Sequence, residues 1–308
     1  MTRPLKIGFG LPDCENLYDG GTARWSDLRD MARLAEDVGF DSLWIQDHLL
    51  FRFEGQPDEA PWESFSLLAA LAAVTERVEV GTLVTCTSFR NPALTAKIAD
   101  TIDEISGGRV VLGLGAGWHE PEYQAFGFPF DHRVSRFTEA LQIIHGLLKH
   151  GKIDFEGTYY SARECELRPR GPRPEGPPIM IGSVSPRMLG LVARYADLWN
   201  VYFSTTQNSP EGVPPLREKV DAACREAGRD PATLGRTVAA YVDFTDTPGG
   251  TQSFNGSGAP ALTGTPEEIA AGLRAYADEG ITHVQAHILP MTAAGIEAFA
   301  PVLEALDA

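Results

Sequence analysis

Two polar residues, Asp47 and His48, follow directly on the apolar run Ser42–Gln46. A carboxylate and an imidazole at that point are poorly placed for packing. They suit a polar anchor and a proton-exchanging group facing a ligand, with a capped loop as the plainer alternative. A second cluster, Gly113-Leu114-Gly115-Ala116-Gly117-Trp118-His119-Glu120, closes the run Val110–Gly115. It fails as a dinucleotide fingerprint, because the third glycine position holds Trp118 and the run does not open the first strand–helix unit. Bare backbone there reads as close approach of a planar ligand, with tight strand packing as the plainer alternative. A third segment, Gly182-Ser183-Val184-Ser185-Pro186-Arg187, opens a helix whose amide N–H groups attract anions. Capping by Ser183 or Ser185 is the plainer alternative there.

Hydrolytic machinery is missing. There is no G-x-S-x-G and no P-loop lysine, the first strand has no His-x-His, and His119-Glu120 is not H-E-x-x-H because position 123 is Tyr123. A rim of glycine and aromatic residues, an anion hole and few acid–base groups imply a cofactor that carries the chemistry itself.

The elements that must position these residues alternate along the chain. Strands are expected at Leu5–Leu11, Ser42–Gln46, Val78–Thr85, Val110–Gly115, Ile179–Gly182, Asp197–Val201, Thr237–Phe244 and His283–Leu289. Between them lie helices at Trp25–Val38, Trp62–Thr75, Pro92–Ile105, His132–His150 and Ser185–Tyr195, one ending at Gly228, one from Thr265 to Glu279, and a terminal helix. Gly151–Pro178 reads as an inserted hairpin and loop, and Asp246–Gly264 as a mobile loop. Eight strand–helix units predict a single (β/α)8 TIM barrel with insertions. A doubly wound sheet with a cap is the alternative. In a barrel the chemistry gathers where strands end, and all three clusters lie there.

Composition excludes other classes. The chain has 308 residues, with 26 basic against 42 acidic, a net charge of −16 that disfavours nucleic acid and anionic membrane as partners. Four dispersed cysteines form neither a disulfide framework nor a zinc knuckle. Met1–Pro12 has no apolar stretch fit for a signal peptide, and no run approaches the ~18 apolar residues of a membrane span. A cytoplasmic setting is expected. Phe51-Arg52-Phe53, Trp62, Tyr202-Phe203 and the Asp246–Gly264 loop would shape a pocket for an apolar or aromatic small molecule.

These residues resemble the luciferase-like monooxygenase superfamily, the bacterial-luciferase barrel that binds FMN or coenzyme F420. The resemblance runs from about Leu5 to Phe299. Its carriers are Asp41-Ser42-Leu43-Trp44 with Asp47-His48, Arg90-Asn91-Pro92-Ala93, Ile105-Ser106-Gly107-Gly108-Arg109, and Gly113 through Tyr123. Phe155-Glu156-Gly157 with Tyr159-Tyr160, and Ala193-Arg194-Tyr195-Ala196-Asp197, complete them. The Gly117-Trp118-His119-Glu120 and Ile105–Arg109 segments are similar to probable F420-dependent oxidoreductases, which favours the deazaflavin over FMN.

The resemblance implies roles for residues. The strand end around Val84, Thr85 and Cys86 would form a bulge with a non-prolyl cis peptide beneath the ring system. Asp47 would hydrogen-bond the ring edge, and His48 would act as acid or base beside the substrate. Gly115, Gly117 and His119 would line the cofactor with Tyr123 nearby, and Gly182, Ser183, Val184 and Ser185 would hold its phosphate. Trp118 replaces an acidic residue found in the family's sugar-phosphate dehydrogenase, which argues against that substrate. Pairing of two copies through the early helices is also implied.

The first expectation is therefore hydride exchange between F420 and a small organic substrate. The second is an FMN-dependent monooxygenase that takes reduced flavin from a separate reductase and uses O2. A metal-dependent lyase or isomerase on Asp47, His48, His119 and Glu120 is a third, although no metal is expected from the ligand spacing. A non-catalytic flavin-binding relative is a fourth.

Overall fold

The computed structural model describes residues 3–245 and 258–308. Eight parallel strand positions close into a barrel. They are β1 (Lys6–Gly10), β2 (Ser42–Ile45), β3 (Glu79–Thr82) with its continuation β4 (Thr85–Cys86), β5 (Val110–Gly115), β8 (Ile179–Gly182), β9 (Leu198–Val201), β10 (Gly235–Asp243) and β11 (His283–Leu289). The ring is sealed by β1 pairing with β11 and β3 with β5, the latter through Val80 with Val110 and Gly81 with Val111. β6 (Lys152–Glu156) and β7 (Ser161–Glu166) form a separate antiparallel hairpin.

The helices wrapping the barrel are α1 (Trp25–Val38), α2 (Ser64–Val74), α3 (Pro92–Ser106), α5 (Arg133–His150), α6 (Pro186–Tyr195), α8 (Pro214–Glu226), α9 (Pro266–Asp278) and α10 (Ala293–Asp307). Two short ones, α4 (Glu120–Phe126) and α7 (Phe203–Thr206), fall in segments that carry too little periodicity to be read from sequence. The helix starts obey local chemistry. Thr265 and Glu268 form a capping box on α9, and the Asn91 side chain accepts from Ala93 and Leu94 at the start of α3. On α1 the box instead uses the Asp27 carboxylate on the Arg24 amide (2.8 Å), so Ser26 lies inside the helix and does not cap it.

Arg109, from the Ile105–Arg109 signature, closes the barrel's lower end. Its guanidinium donates to the carbonyls of Ala72 (2.8 Å), Thr75 (2.8 Å), Val78 (2.5 Å) and Ser106 (2.7 Å). Three of these carbonyls lie at the C-terminal ends of α2 and α3, where a helix leaves its last acceptors open, and the fourth, of Val78, directly precedes β3. That signature is structural.

Inside the barrel, Trp44 is buried against Val111 and Met180 and forms the floor beneath the mouth. A Cβ at Gly8 would stand 2.4 Å from Trp44 Nε1, and one at Gly81 2.5 Å from its Cζ3. The indole fits only because both flanking strands carry no side chain there. Its N–H donates to Ser42 Oγ (2.7 Å), which also lies 2.7 Å from His283 Nε2. Burial pushes His283 down to about 3, so the imidazole is neutral and can accept.

Candidate active site

The C-terminal mouth of the barrel holds a cavity of about 940 Å³. Every strand position but β10, or the segment after it, contributes to its lining among the described residues, including Asp13, Asp47, His48, Val84, Gly115, Ser183, Tyr202 and His287.

His48 is held by a partner 74 residues away. Its Nδ1 lies 2.9 Å from Glu122 Oε1, while Glu122 Oε2 accepts the Leu49 amide (2.8 Å). Glu122, on α4, is fully buried. With Nδ1–H held by the carboxylate, Nε2 is the ring nitrogen left to a ligand. Phe51 packs on the imidazole at 4.5 Å between centroids and Trp118 at 5.6 Å. Glu122 lies within the stretch that carries the family resemblance, but nothing in its local spacing points to His48.

Asp47 is used within the protein. Its Oδ1 accepts from the Ser64 hydroxyl (2.6 Å) and Arg90 (2.9 Å), and its Oδ2 from the Cys86 amide (2.9 Å) and Arg90 (2.7 Å). Those four donors fill both oxygens. The carboxylate that the resemblance aims at a ring edge therefore anchors β4 and the loop before α3. Arg90 in turn reaches Glu63 (2.6 Å) and lies 4.7 Å over the Phe65 ring.

The chain between β3 and β4 carries a cis peptide at Leu83–Val84 and brings Val84 into the cavity wall. The glycines explain how it fits. A Cβ at Gly113 would meet the Thr82 carbonyl at 1.9 Å, and one at Gly115 would meet Val84 Cγ2 at 2.7 Å. At Gly117, with φ +73°, it would meet Tyr123 Oη at 1.9 Å and Cys86 Sγ at 2.7 Å. The glycines admit neighbouring protein groups, and Gly115 and Gly117 also border the cavity.

Four expected site residues deserve separate placement. Thr85 is buried and donates to Thr82 Oγ1 (2.9 Å), away from the cavity. Tyr123 lies behind the wall, donating to the Ala116 carbonyl (3.1 Å) and standing 2.9 Å from Cys86 Sγ. Burial keeps the Cys86 thiol protonated, pushed up to about 12. His119 is buried outside the cavity lining, where its Nε2 accepts the Arg52 amide (3.0 Å) and its ring packs on Phe53 at 4.9 Å. Burial lowers its proton affinity, consistent with that accepting role. The metal reading fails geometrically, because among the described residues no three His, Cys, Asp or Glu side chains form a metal-ligating group.

Across the mouth, α5 and α6 both begin at the cavity, and neither receives a side-chain cap. Ser185 does not cap α6, and its own amide donates to Ser183 Oγ (3.3 Å). Arg187 donates to Ser135 Oγ (3.0 Å), while Arg133 donates to the Gly117 carbonyl (2.9 Å) and lies 4.1 Å over Phe130. Open helix N–H groups and two arginines give this end of the cavity the donors and positive charge that suit an anion. The α5 contribution has no signal in the sequence. The cavity is at the upper end of the roughly 300–1,000 Å³ found for ligand sites. Its apolar Leu83–Val84 wall and cationic far end fit a ring system bearing a phosphate.

A closed barrel whose mouth joins an imidazole–carboxylate couple to the uncapped starts of two helices has the room and the donors for a phosphate-bearing cofactor. Comparison with known proteins makes the family definite. Residues 6–249 match the luciferase-like monooxygenase family, and the chain belongs to it. The chain is 36% identical over 188 residues to the pyrimidine monooxygenase RutA of Cronobacter sakazakii, which covers 59% of this chain and 52% of the relative. RutA of Escherichia coli K12 is also 36% identical over 188 residues, covering 59% and 46%. The chain thus spans about half the length of the curated relatives it matches. An F420-dependent secondary alcohol dehydrogenase in complex with an F420–acetone adduct superposes with a TM-score of 0.81 at 21% identity, over 98% of this chain and 99% of that one. Monooxygenase RslO1 from Streptomyces bottropensis gives 0.76 at 21%, over 99% and 100%. These two likenesses show the shared fold. No helix among the described residues is long and apolar enough to cross a membrane.

Proposed function

We propose that the chain is an F420-dependent oxidoreductase acting on a small organic substrate, with His48 as a proton-exchanging group beside it. The observation that carries this reading is the convergence on one cavity of the His48–Glu122 couple, the Val84 wall and the uncapped starts of α5 and α6 with Arg133 and Arg187. When bound, a deazaflavin supplies two-electron hydride chemistry.

The protein's own contribution is positional. Ser183, Val184, Ser185, Arg133 and Arg187 would hold the phosphate, while Val84, Gly115, Gly117 and Cys86 would face the ring. Glu122 fixes His48 so that Nε2 gives a proton to, or takes one from, a substrate oxygen or nitrogen. Phe51 and Trp118 limit water around that ring, which strengthens its hydrogen bonds.

A second reading, an FMN-dependent monooxygenase served by a separate reductase, is favoured by the 36% identity to pyrimidine monooxygenases. Side-by-side fluorescence titration with F420 and FMN tests both. The expected result is tighter binding of F420, with reduced F420 stable in air when mixed with the protein. Preferential binding of FMN with O2 uptake would replace the first reading by the second. Binding of neither cofactor would remove both.

A further inference from the structure

The cavity holds one carboxyl group that the proposed function leaves unused. Asp13 follows β1, is 2% exposed and lines the cavity. Both of its oxygens are held by one neighbour: the Gln46 amide donates to Oδ2 (2.9 Å) and Gln46 Nε2 to Oδ1 (2.8 Å). Neither donor is charged. Asp47, the other carboxylate in the lining, has Arg90 at 2.7 Å, whereas no ion pair among the described residues involves Asp13.

The titratable groups that face Asp13 are His48 after β2, Tyr202 after β9 and the adjacent Cys14. Burial raises both the Tyr202 phenol and the Cys14 thiol and lowers the His287 imidazole of the same lining, so all three are neutral. Enclosure with neutral donors disfavours the carboxylate. Burial outweighs the Gln46 hydrogen bonds and lifts Asp13 from 3.8 to about 7. Two proton-exchanging groups in contrasting environments therefore share one cavity: an imidazole on a carboxylate, and a carboxyl group without a cation.

We propose that Asp13 is a second proton donor of this cavity, separate from the His48–Glu122 couple, and that on a carbonyl substrate Asp13, in place of His48, hydrogen-bonds and protonates the oxygen. The inference rests on the reading of this cavity as the place of turnover. In the step, the Asp13 O–H bond breaks and its electron pair stays on the carboxylate. The proton bonds to the substrate oxygen as that carbonyl is reduced with electrons from the bound cofactor. The carboxylate keeps both Gln46 hydrogen bonds and regains a proton from water between turnovers. The substrate class implied is a neutral carbonyl compound, since a carboxylate-bearing end would face Asp13 in its charged form.

The test uses the intact chain without cofactor and cyclohex-2-en-1-one as the probe. Carboxyl-13C NMR of aspartate-labelled protein is expected to show one resonance titrating near pH 7 that is absent from Asp13→Asn. Infrared spectra at millimolar probe are expected to show the bound carbonyl stretch at lower frequency at pH 5.5 than at pH 8.5, with no such difference in Asp13→Asn. Gln46→Met removes one donor to the carboxylate and is expected to move both midpoints upward, which decides the matter should Asp13→Asn not fold. An aspartate titration confined below pH 5.5, a carbonyl stretch indifferent to pH, no probe binding, or midpoints unmoved by Gln46→Met overturns the proposal. Failure of F420 and FMN to bind overturns the proposed function and the turnover role, while the NMR titration still reports on the carboxyl group itself.

Discussion

Replacing Arg90 with methionine removes the cation paired with the buried Asp47 carboxylate while keeping an aliphatic chain against Phe65. Asp47, 2% exposed, then retains the Ser64 hydroxyl and the Cys86 amide but loses hydrogen bonds of 2.7 and 2.9 Å from the guanidinium. Hydrogen bonds to a charged group contribute about 1.5–3 kcal/mol each, and breaking a buried pair costs about 3–5 kcal/mol in all. The larger range is expected for Arg90→Met. Asp47→Asn should cost less, about 2–3 kcal/mol, because Arg90 keeps its 2.6 Å bond to Glu63, itself partly exposed. The double variant should be destabilised by at least about 1.5 kcal/mol less than the sum of the single changes, since each leaves a partner unmatched that the other removes. Urea unfolding at pH 7 followed by tryptophan fluorescence gives all four corners of the cycle. The coupling should persist in 0.5 M salt, because a buried pair is weakly screened. Additive single effects, or an Arg90→Met cost below about 1 kcal/mol, would refute the assignment of Asp47 to the framework.

Gly117→Ala should destabilise by about 2–5 kcal/mol, combining a left-handed backbone with overpacking against Tyr123 Oη at 1.9 Å. Adding Tyr123→Phe should recover part of that loss in the same urea assay, and a Gly117→Ala chain as stable as its parent would contradict the packing. Asp13 should make stability pH-dependent in an unusual direction. Its folded value, about 7, lies above the unfolded 3.8, so its contribution is full below pH 3.8 and is lost as pH rises through 7. Relative to Asp13→Asn, the parent should therefore lose about 3 kcal/mol of stability between pH 5 and pH 8. Unfolding curves of the two proteins that run parallel across that window would speak against a buried neutral carboxyl group.

Much of this protein is legible along the chain. Parallel barrel strands are buried on both faces and read as short apolar runs, such as Val110–Gly115 and Ile179–Gly182, at the positions where the structure has β5 and β8. Helix stops and starts are local chemistry, which is why Gly39 past α1 and Thr265 before α9 could be placed. The break at Leu83–Val84 inside the expected strand Val78–Thr85 had no local signal in composition or periodicity and came only through family resemblance. Asp47-His48 stood out for a sound reason, because polar residues ending an apolar strand need a purpose beyond packing.

Sequence alone determined the eight-fold alternation and the identity of the polar residues at the strand ends. These follow from periodicity and capping, which act over a few residues. Tertiary structure decided which of those residues meet. Barrel closure brings Glu122 to His48 across 74 positions and Arg90 to Asp47 across 43. It also sets His119 against the Arg52 amide, outside the cavity lining, and fills the space beside Gly115 and Gly117 with Val84 and Tyr123. Hydrogen-bond partners and desolvation depend on distances between distant elements, and those distances exist only once the ring has closed.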